Sequence, residues 1–267
     1  MATTICMINQ KGGCGKSSTC FHLAGAFAAS GLRVLLVDND PQGSLSQGFF
    51  GSTIVEELPS ERTIAAAFSD HIVSPSSIVA ATGLPNIDIC PANHQLGKFN
   101  TPCPEHLGME QFALQQFLDE LHEVDIVLID CPPNLYRCSW TALIASDFVV
   151  IPVPPEDFGT QGLRPVHEAI RNANQLNPDL SLLGHLVTRS DRRLLVHRAY
   201  ESKLRDLYTE SVLSTVIPEA SAFKVSLACR KPVEFHNAKT RAADLTRQLS
   251  REILDRIAMK NKQRNVA

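Results

Sequence analysis

A mostly parallel α/β sheet with helices on both faces, in a single domain, is the fold class that this 267-residue chain predicts. Three observations carry it. Runs of strand length such as "TICMIN" and "VDIVLID" are apolar almost throughout instead of alternating, as strands buried on both faces are. Amphipathic stretches of helical spacing lie between these runs. A glycine-rich turn, "KGGCGKSS", joins the first run to the first helical stretch. With 44% hydrophobic and 20% charged residues, residues 1–267 can bury a sizeable core as one unit.

The elements follow in order. "TICMIN" (4–9) reads as a buried strand, and Phe21, Ala24, Phe27 and Ala28 recur at helical spacing over 16–30, which Gly31 ends. Further strands are predicted at 33–40, 86–91, 124–130, 147–153, 180–187 and 211–217. Helical patterns fall near 107–122, 159–176, 191–208 and 239–260. Residues 44–104, where Gly, Ser and Pro accumulate, read as loops and short helices at a sheet edge.

Composition removes several classes. No apolar run approaches membrane-spanning length, and "MATTICMINQ" runs into a motif instead of a signal peptide. Eight cysteines with no C-x-x-C pair predict reduced thiols in a cytoplasm. The net charge of -3 is uneven: residues 1–188 carry 8 Lys+Arg against 19 Asp+Glu, and residues 189–267 carry 17 against 9. A basic C-terminal third fits a polyanion partner, nucleic acid first and an acidic membrane second; solvated helix faces would give the same count.

Ligands of such folds bind at the C-terminal ends of the strands, and three polar sets stand there. In the first, Gly12, Gly13 and Gly15 let backbone N–H groups close around phosphates, and the helix from Lys16 aims its positive end at them. Lys16 is placed to reach β and γ phosphates and Ser17 to bind Mg²⁺. The standard loop has a glycine where this chain has Gln10, and an additional lysine, Lys11, precedes the glycines. The second set is Asp38 and Asp40 in "VDNDPQG", two carboxylates that repel unless a cation or water stands between them. The third is Asp130, which ends the apolar run "VLID" as the carboxylate that completes a magnesium environment does.

"KGGCGKSS", "LLVDNDPQGSLS", "VDIVLIDCPPNL", "SDFVVIPVPPEDFGTQGL" and "STVIP", in this order, resemble the ParA/MinD family of deviant Walker A ATPases, and above all the short, Soj-like ParA partition ATPases. The resemblance implies a P-loop NTPase fold, ATP and Mg²⁺ as cofactors, and slow, partner-stimulated hydrolysis. It implies a homodimer sandwiching two ATP molecules, in which Lys11 crosses to the phosphates of the other subunit. Gly12, Gly13, Cys14, Gly15, Lys16, Ser17 and Ser18 match the phosphate loop, and Pro218 matches a residue lining the adenine pocket. Asp40 matches the carboxylate that positions the attacking water, Asp130 the one that holds Mg²⁺ through water, and Asp38 a carboxylate behind them.

The same resemblance implies non-specific DNA binding by C-terminal cations: Arg189, Arg192, Arg193, Arg198, Lys203, Arg205, Lys224, Arg230, Lys231 and Lys239 are the candidates. It also implies a centromere-binding (ParB-like) or other cargo-adaptor partner, a cytoplasmic, nucleoid-associated location and no stable membrane anchor. Three departures stand out. Glu219 replaces a frequent Arg after "IP", "EASAFKVSLACRKPV" is a loose match, and Tyr136, Arg137, Trp140 and Thr141 occupy a segment that is typically smaller, so that segment is expected to read a different partner.

Three rivals share these motifs. A MinD-like membrane ATPase would use Ile253, Leu254 and Ile257 as an amphipathic anchor, although these residues also fit the inward face of the last helix. A nitrogenase-reductase-like protein would use Cys131 for a bridging iron–sulfur cluster, which needs two placed cysteines per subunit. A nucleotide-gated binding module would bind ATP with negligible turnover.

Overall fold

The computed structural model describes residues 2–69, 74–104, 107–156 and 160–264. In chain order it contains β1 (Thr3–Met7), α1 (Lys16–Ala29), β2 (Val34–Asp38), α2 (Ser44–Phe50), α3 (Ser52–Glu56), α4 (Pro75–Ile78), β3 (Ala80–Ala81), β4 (Ile87–Cys90) and α5 (Ala113–Asp119). There follow β5 (Ile126–Asp130), α6 (Arg137–Ile144), β6 (Phe148–Val153), α7 (Thr160–Ala173), β7 (Ser181–Val187), α8 (Leu195–Tyr208), α9 (Ser221–Ala228), α10 (Val233–Asn237) and α11 (Arg241–Arg264). The strands form one sheet in the order β3-β4-β2-β5-β1-β6-β7, parallel throughout except for the short β3 at one edge. The predicted fold class is the one observed.

Side-chain alternation divides each central strand between two faces. Cys6, Ile8, Leu35, Val37, Val127 and Ile129 point to one core, which Leu114 of α5, Leu143 of α6, Val166 of α7 and Leu204 of α8 close. Ile5, Met7, Val34, Leu36, Ile126 and Leu128 point to the other, closed by Phe21 and Phe27 of α1, Phe49 of α2 and Leu249 and Ile253 of α11. Phe21, Phe27 and Phe148 are almost wholly buried, and truncating any of them to Ala costs about 3–5 kcal/mol.

One predicted strand is corrected. Residues 211–217 do not join the sheet as a strand: Val212 and Pro218 make only isolated bridges, to His185 and Ser190. The apolar residues are buried, Leu213 fully. The backbone donors that a strand would pair, Ser214 N and Thr215 N, instead donate to the Glu252 carboxylate at 2.6 and 2.9 Å. The 107–122 pattern yields the shorter α5 after a 3-10 turn at Met109–Phe112. The start of the 159–176 pattern lies outside the described residues. The last helix runs on to Arg264.

Candidate nucleotide site

The order β2-β5-β1 brings three strand ends together, and register sets Asp38 and Met7 on either side of Asp130. The loop leaving β1 is tied down by its own neighbours. Asn9 Nδ2 donates to Pro152 O at 2.7 Å, Asn9 Oδ1 accepts from Lys11 N at 3.0 Å, and Thr188 Oγ1 donates to Cys14 O at 2.7 Å. Gly13 and Gly15 have φ of 69° and 91°, the left-handed region in which a side chain is strained. Gly15 occupies the cap position of α1, which has no side-chain cap and no acidic residue in its first turn. A helix end so arranged leaves N–H donors and its positive pole for an anion.

Lys16 is buried, and its Nζ donates to Asn9 O at 3.1 Å and Lys11 O at 3.3 Å. Asp38 is fully buried and accepts from Ser46 N at 2.8 Å, Ser46 Oγ at 2.7 Å and Asp40 N at 3.3 Å. Burial still pushes its carboxyl up to about 7, against the Ser46 hydrogen bonds. Asp40 is raised by burial and opposed by its bond from Gln42 N at 2.9 Å and by Lys16.

Asp130 has no exposed surface, and neither oxygen has a hydrogen-bond partner among the described residues. Burial and the charge of Asp38 hold its carboxyl well above the ordinary range; the Ser17 hydroxyl acts in the lowering direction without closing a hydrogen bond. An orphaned buried carboxylate beside a hydroxyl and a second carboxylate is the hard-oxygen environment that Mg²⁺ takes. The residues present therefore fit that ion.

The phosphate loop and Asp40 border a cavity of about 510 Å³, ample for a nucleotide. Gly12, Gly13, Cys14, Gly15, Lys16, Ser17, Ser18 and Asp40 line it on one side, with Ile217, Pro218 and Phe223 forming an apolar wall. Lys11 lies outside that lining; its Nζ donates to Glu156 O at 3.2 Å and pairs with the Glu156 carboxylate at 3.3 Å.

The basic candidates divide. Arg189 and Lys224 line the cavity and both pair with Glu219, at 3.0 and 2.5 Å. Arg193 pairs with Asp191 at 2.7 Å, and Arg205 with Glu201 at 2.9 Å. Arg192, Arg198, Lys203, Arg230, Lys231 and Lys239 are exposed. Of the departing segment only Tyr136 is exposed: Arg137, paired with Glu110 at 3.2 Å, Trp140 and Thr141 are buried. Glu156, Thr188, Arg189 and Glu219 were not foreseen at this site: Glu156 lies inside a matched segment and Glu219 directly follows one, but no motif assigns either a place at the phosphate loop.

A protein-family model described as an AAA domain matches residues 2–182. The chain is 31% identical over 255 residues to the sporulation initiation inhibitor protein Soj of Bacillus subtilis, covering 95% of this chain and 98% of Soj. It is 31% identical over 271 residues to the chromosome partitioning protein ParA of Myxococcus xanthus, covering 98% and 92%. The chain belongs to the ParA family of partition ATPases.

Its ParA-type fold also matches the solved structure of cobyrinic acid a,c-diamide synthase from Mycobacterium smegmatis with bound ADP and magnesium. The TM-score is 0.78 at 28% identity, over 95% of this chain and 94% of that one. Within the family's architecture the rival sites fare differently. Ile253 and Ile257 are buried in the core and Leu254 packs on it, so these three residues face inward; no described helix is long and apolar enough to cross a membrane. Cys131 is wholly buried, which pushes its thiol up and keeps it from a surface where a bridging cluster would sit.

Proposed function

We propose that this ParA-family chain binds ATP with Mg²⁺, hydrolyses it slowly as a sandwich dimer, binds DNA without sequence preference and positions a cargo through an adaptor that stimulates hydrolysis. The observation that carries the reading is the meeting of an uncapped helix end and the buried Lys16, both lining the cavity, with the orphaned, buried carboxylate of Asp130 next to Ser17. Bound through Ser17, and through water to Asp130, magnesium would neutralise charge on the β and γ phosphates. Lys16 leaves its carbonyl partners for phosphate oxygens, the glycine N–H groups and the α1 end close on the same anion, and Asp40 orients the attacking water. Pro218 and its apolar neighbours take the base.

The position of Lys11, outside its own cavity lining and on Glu156, supports a role towards a second subunit. A cation delivered across an interface couples charge neutralisation at the phosphates to association. The exposed cations Arg192, Arg198, Lys203, Arg230 and Lys231 are the proposed DNA contacts, and the adaptor is of the centromere-binding (ParB-like) kind or another cargo protein. The test is Lys11→Ala: the monomer keeps ATP affinity, the ATP-dependent dimer weakens in analytical ultracentrifugation, and turnover falls by about a hundredfold or more. Unchanged turnover and dimerisation in that variant would overturn the sandwich reading.

A further inference from the structure

An acid–base chain crosses the mouth of the cavity, and the motifs account for none of it. Arg189 follows the end of β7 with a left-handed backbone, φ 53°, a conformation rare outside glycine that is retained where the surroundings impose it. It turns the side chain back over the phosphate loop. Nη1 donates to Gly13 O at 2.8 Å and Nε donates to Glu219 Oε2 at 3.0 Å. Glu219 is held in turn by Lys224 Nζ at 2.5 Å and by its own N–H, which donates to Ser190 O at 3.1 Å.

A guanidinium carries five N–H donors, and two are used here. The other three, on Nη1 and Nη2, make no hydrogen bond among the described residues, in a half-exposed side chain that lines the cavity. Two cations share the single carboxylate of Glu219, so this rim carries a net positive charge facing the space that the helix end also makes favourable to an anion.

We propose that Arg189 is a nucleotide-contacting cation of this cavity, acting in cis on the phosphates of a nucleoside di- or triphosphate, with Glu219 as its positioning residue. The proposal rests on the nucleotide reading of the cavity given above. It moves Arg189 from the DNA-facing surface to the ATP site. A planar fork suits the task, since it can keep Gly13 and Glu219 while giving its free donors to a phosphate oxygen.

The experiment titrates fluorescent N-methylanthraniloyl ADP and ATP, with magnesium, into the full chain and its variants, and follows denaturant unfolding of each in parallel. Arg189→Ala should raise both dissociation constants about tenfold, as loss of a charge-assisted contact does. Glu219→Gln, which keeps shape but frees the guanidinium, should raise them about two- to threefold. The exchange Arg189→Glu with Glu219→Arg should recover unfolding stability without recovering affinity. Recovery of affinity by the exchange would make the pair a staple of the loop and overturn the proposal. So would unchanged nucleotide binding in Arg189→Ala, including the case in which that variant loses DNA retention instead. Should the exchanged variant not fold, Arg189→Gln decides: nucleotide affinity about tenfold weaker at near-parental unfolding stability supports the contact, and parental affinity refutes it. Lys16→Ala is the control for the underlying reading. If it binds the analogues as the unmodified chain does, the nucleotide assignment has failed independently of Arg189.

Discussion

Replacing Asp130 with Asn should make the metal-free protein more stable while removing its response to magnesium nucleotide. Asp130 stands beside Asp38 in parallel register, and its oxygens have no partner among the described residues. Neighbouring strands lie about 4.8 Å apart, so two unit charges there repel by roughly 3 kcal/mol at an effective dielectric of 20. The carboxyl of Asp38 is itself raised to about 7, by burial first and by the charge of Asp40, against its hydrogen bonds from Ser46. The sign follows from linkage. A carboxyl whose folded value is raised keeps a proton that the unfolded chain releases, so its contribution is intact at acidic pH and is lost as pH rises from about 4 to about 7.

Asp130→Asn should therefore gain about 2–4 kcal/mol in urea unfolding at about pH 8 without metal, and the gain should shrink towards zero as pH falls to about 4. Magnesium ATP at about a hundred times its dissociation constant should stabilise the unmodified chain by about 2.7 kcal/mol and the variant by much less. A variant less stable than the parent at pH 8, or equally stabilised by magnesium ATP, would refute the reasoning.

Asp40→Ala should keep ATP binding and trap an ATP-dependent, DNA-retained dimer, measured as lost phosphate release with persistent retention on a DNA-coated surface; parental turnover in that variant would remove Asp40 from its role. Non-specific DNA affinity, if about five phosphates are neutralised, should fall with a log–log salt slope of about -4 to -5, some hundreds-fold between roughly 50 and 200 mM; a flat response would exclude the electrostatic account. His22 and His185 are pushed down by burial to about 3 and about 4. Their folded values lie below the ordinary 6.5, so stability is full above about 6.5 and should fall by about 2 kcal/mol for each by pH 5. His22→Gln, which can still accept from Val233 N, should remove one share of that loss in unfolding titrations; an unaltered pH slope would show that His22 is not its source.

The central parallel strands β2, β5 and β6 were legible because their whole length is buried, which leaves an apolar run that no surface position interrupts. The same rule misread 211–217, where burial is real but Glu252 takes the two middle backbone donors, Ser214 N and Thr215 N, while only Leu213 N and Ile217 N reach β7. α6 escaped for the converse reason. Every residue from Arg137 to Ile144 is buried, so there is no contrast between faces for a helical period to show. The floor of the site was legible because its groups sit within one loop or at strand ends. Its rim was not: Glu156 and Arg189 reach the loop from 145 and 176 positions away, and Glu219 holds Arg189 from 30 positions away, and tertiary approach over such separations leaves no local pattern.

Charge counting met the same limit, and it bears on the DNA proposal. The excess of cations after residue 188 suggested one basic surface, yet Arg189, Arg193, Arg205 and Lys224 are each held by an acid. Arg192, Arg198, Lys203, Arg230 and Lys231, the proposed contacts, carry no ion pair among the described residues, so each subunit keeps these five for phosphates. That number turns the salt slope into a measure of geometry. A slope of about -4 to -5 matches one subunit's set laid on the duplex, and about -9 requires both subunits of a dimer to engage fully. If the steeper slope appears only with ATP, association has brought the two sets onto one DNA; if Lys11→Ala returns it to the shallower value, the cation that leaves its own cavity is what couples nucleotide to DNA.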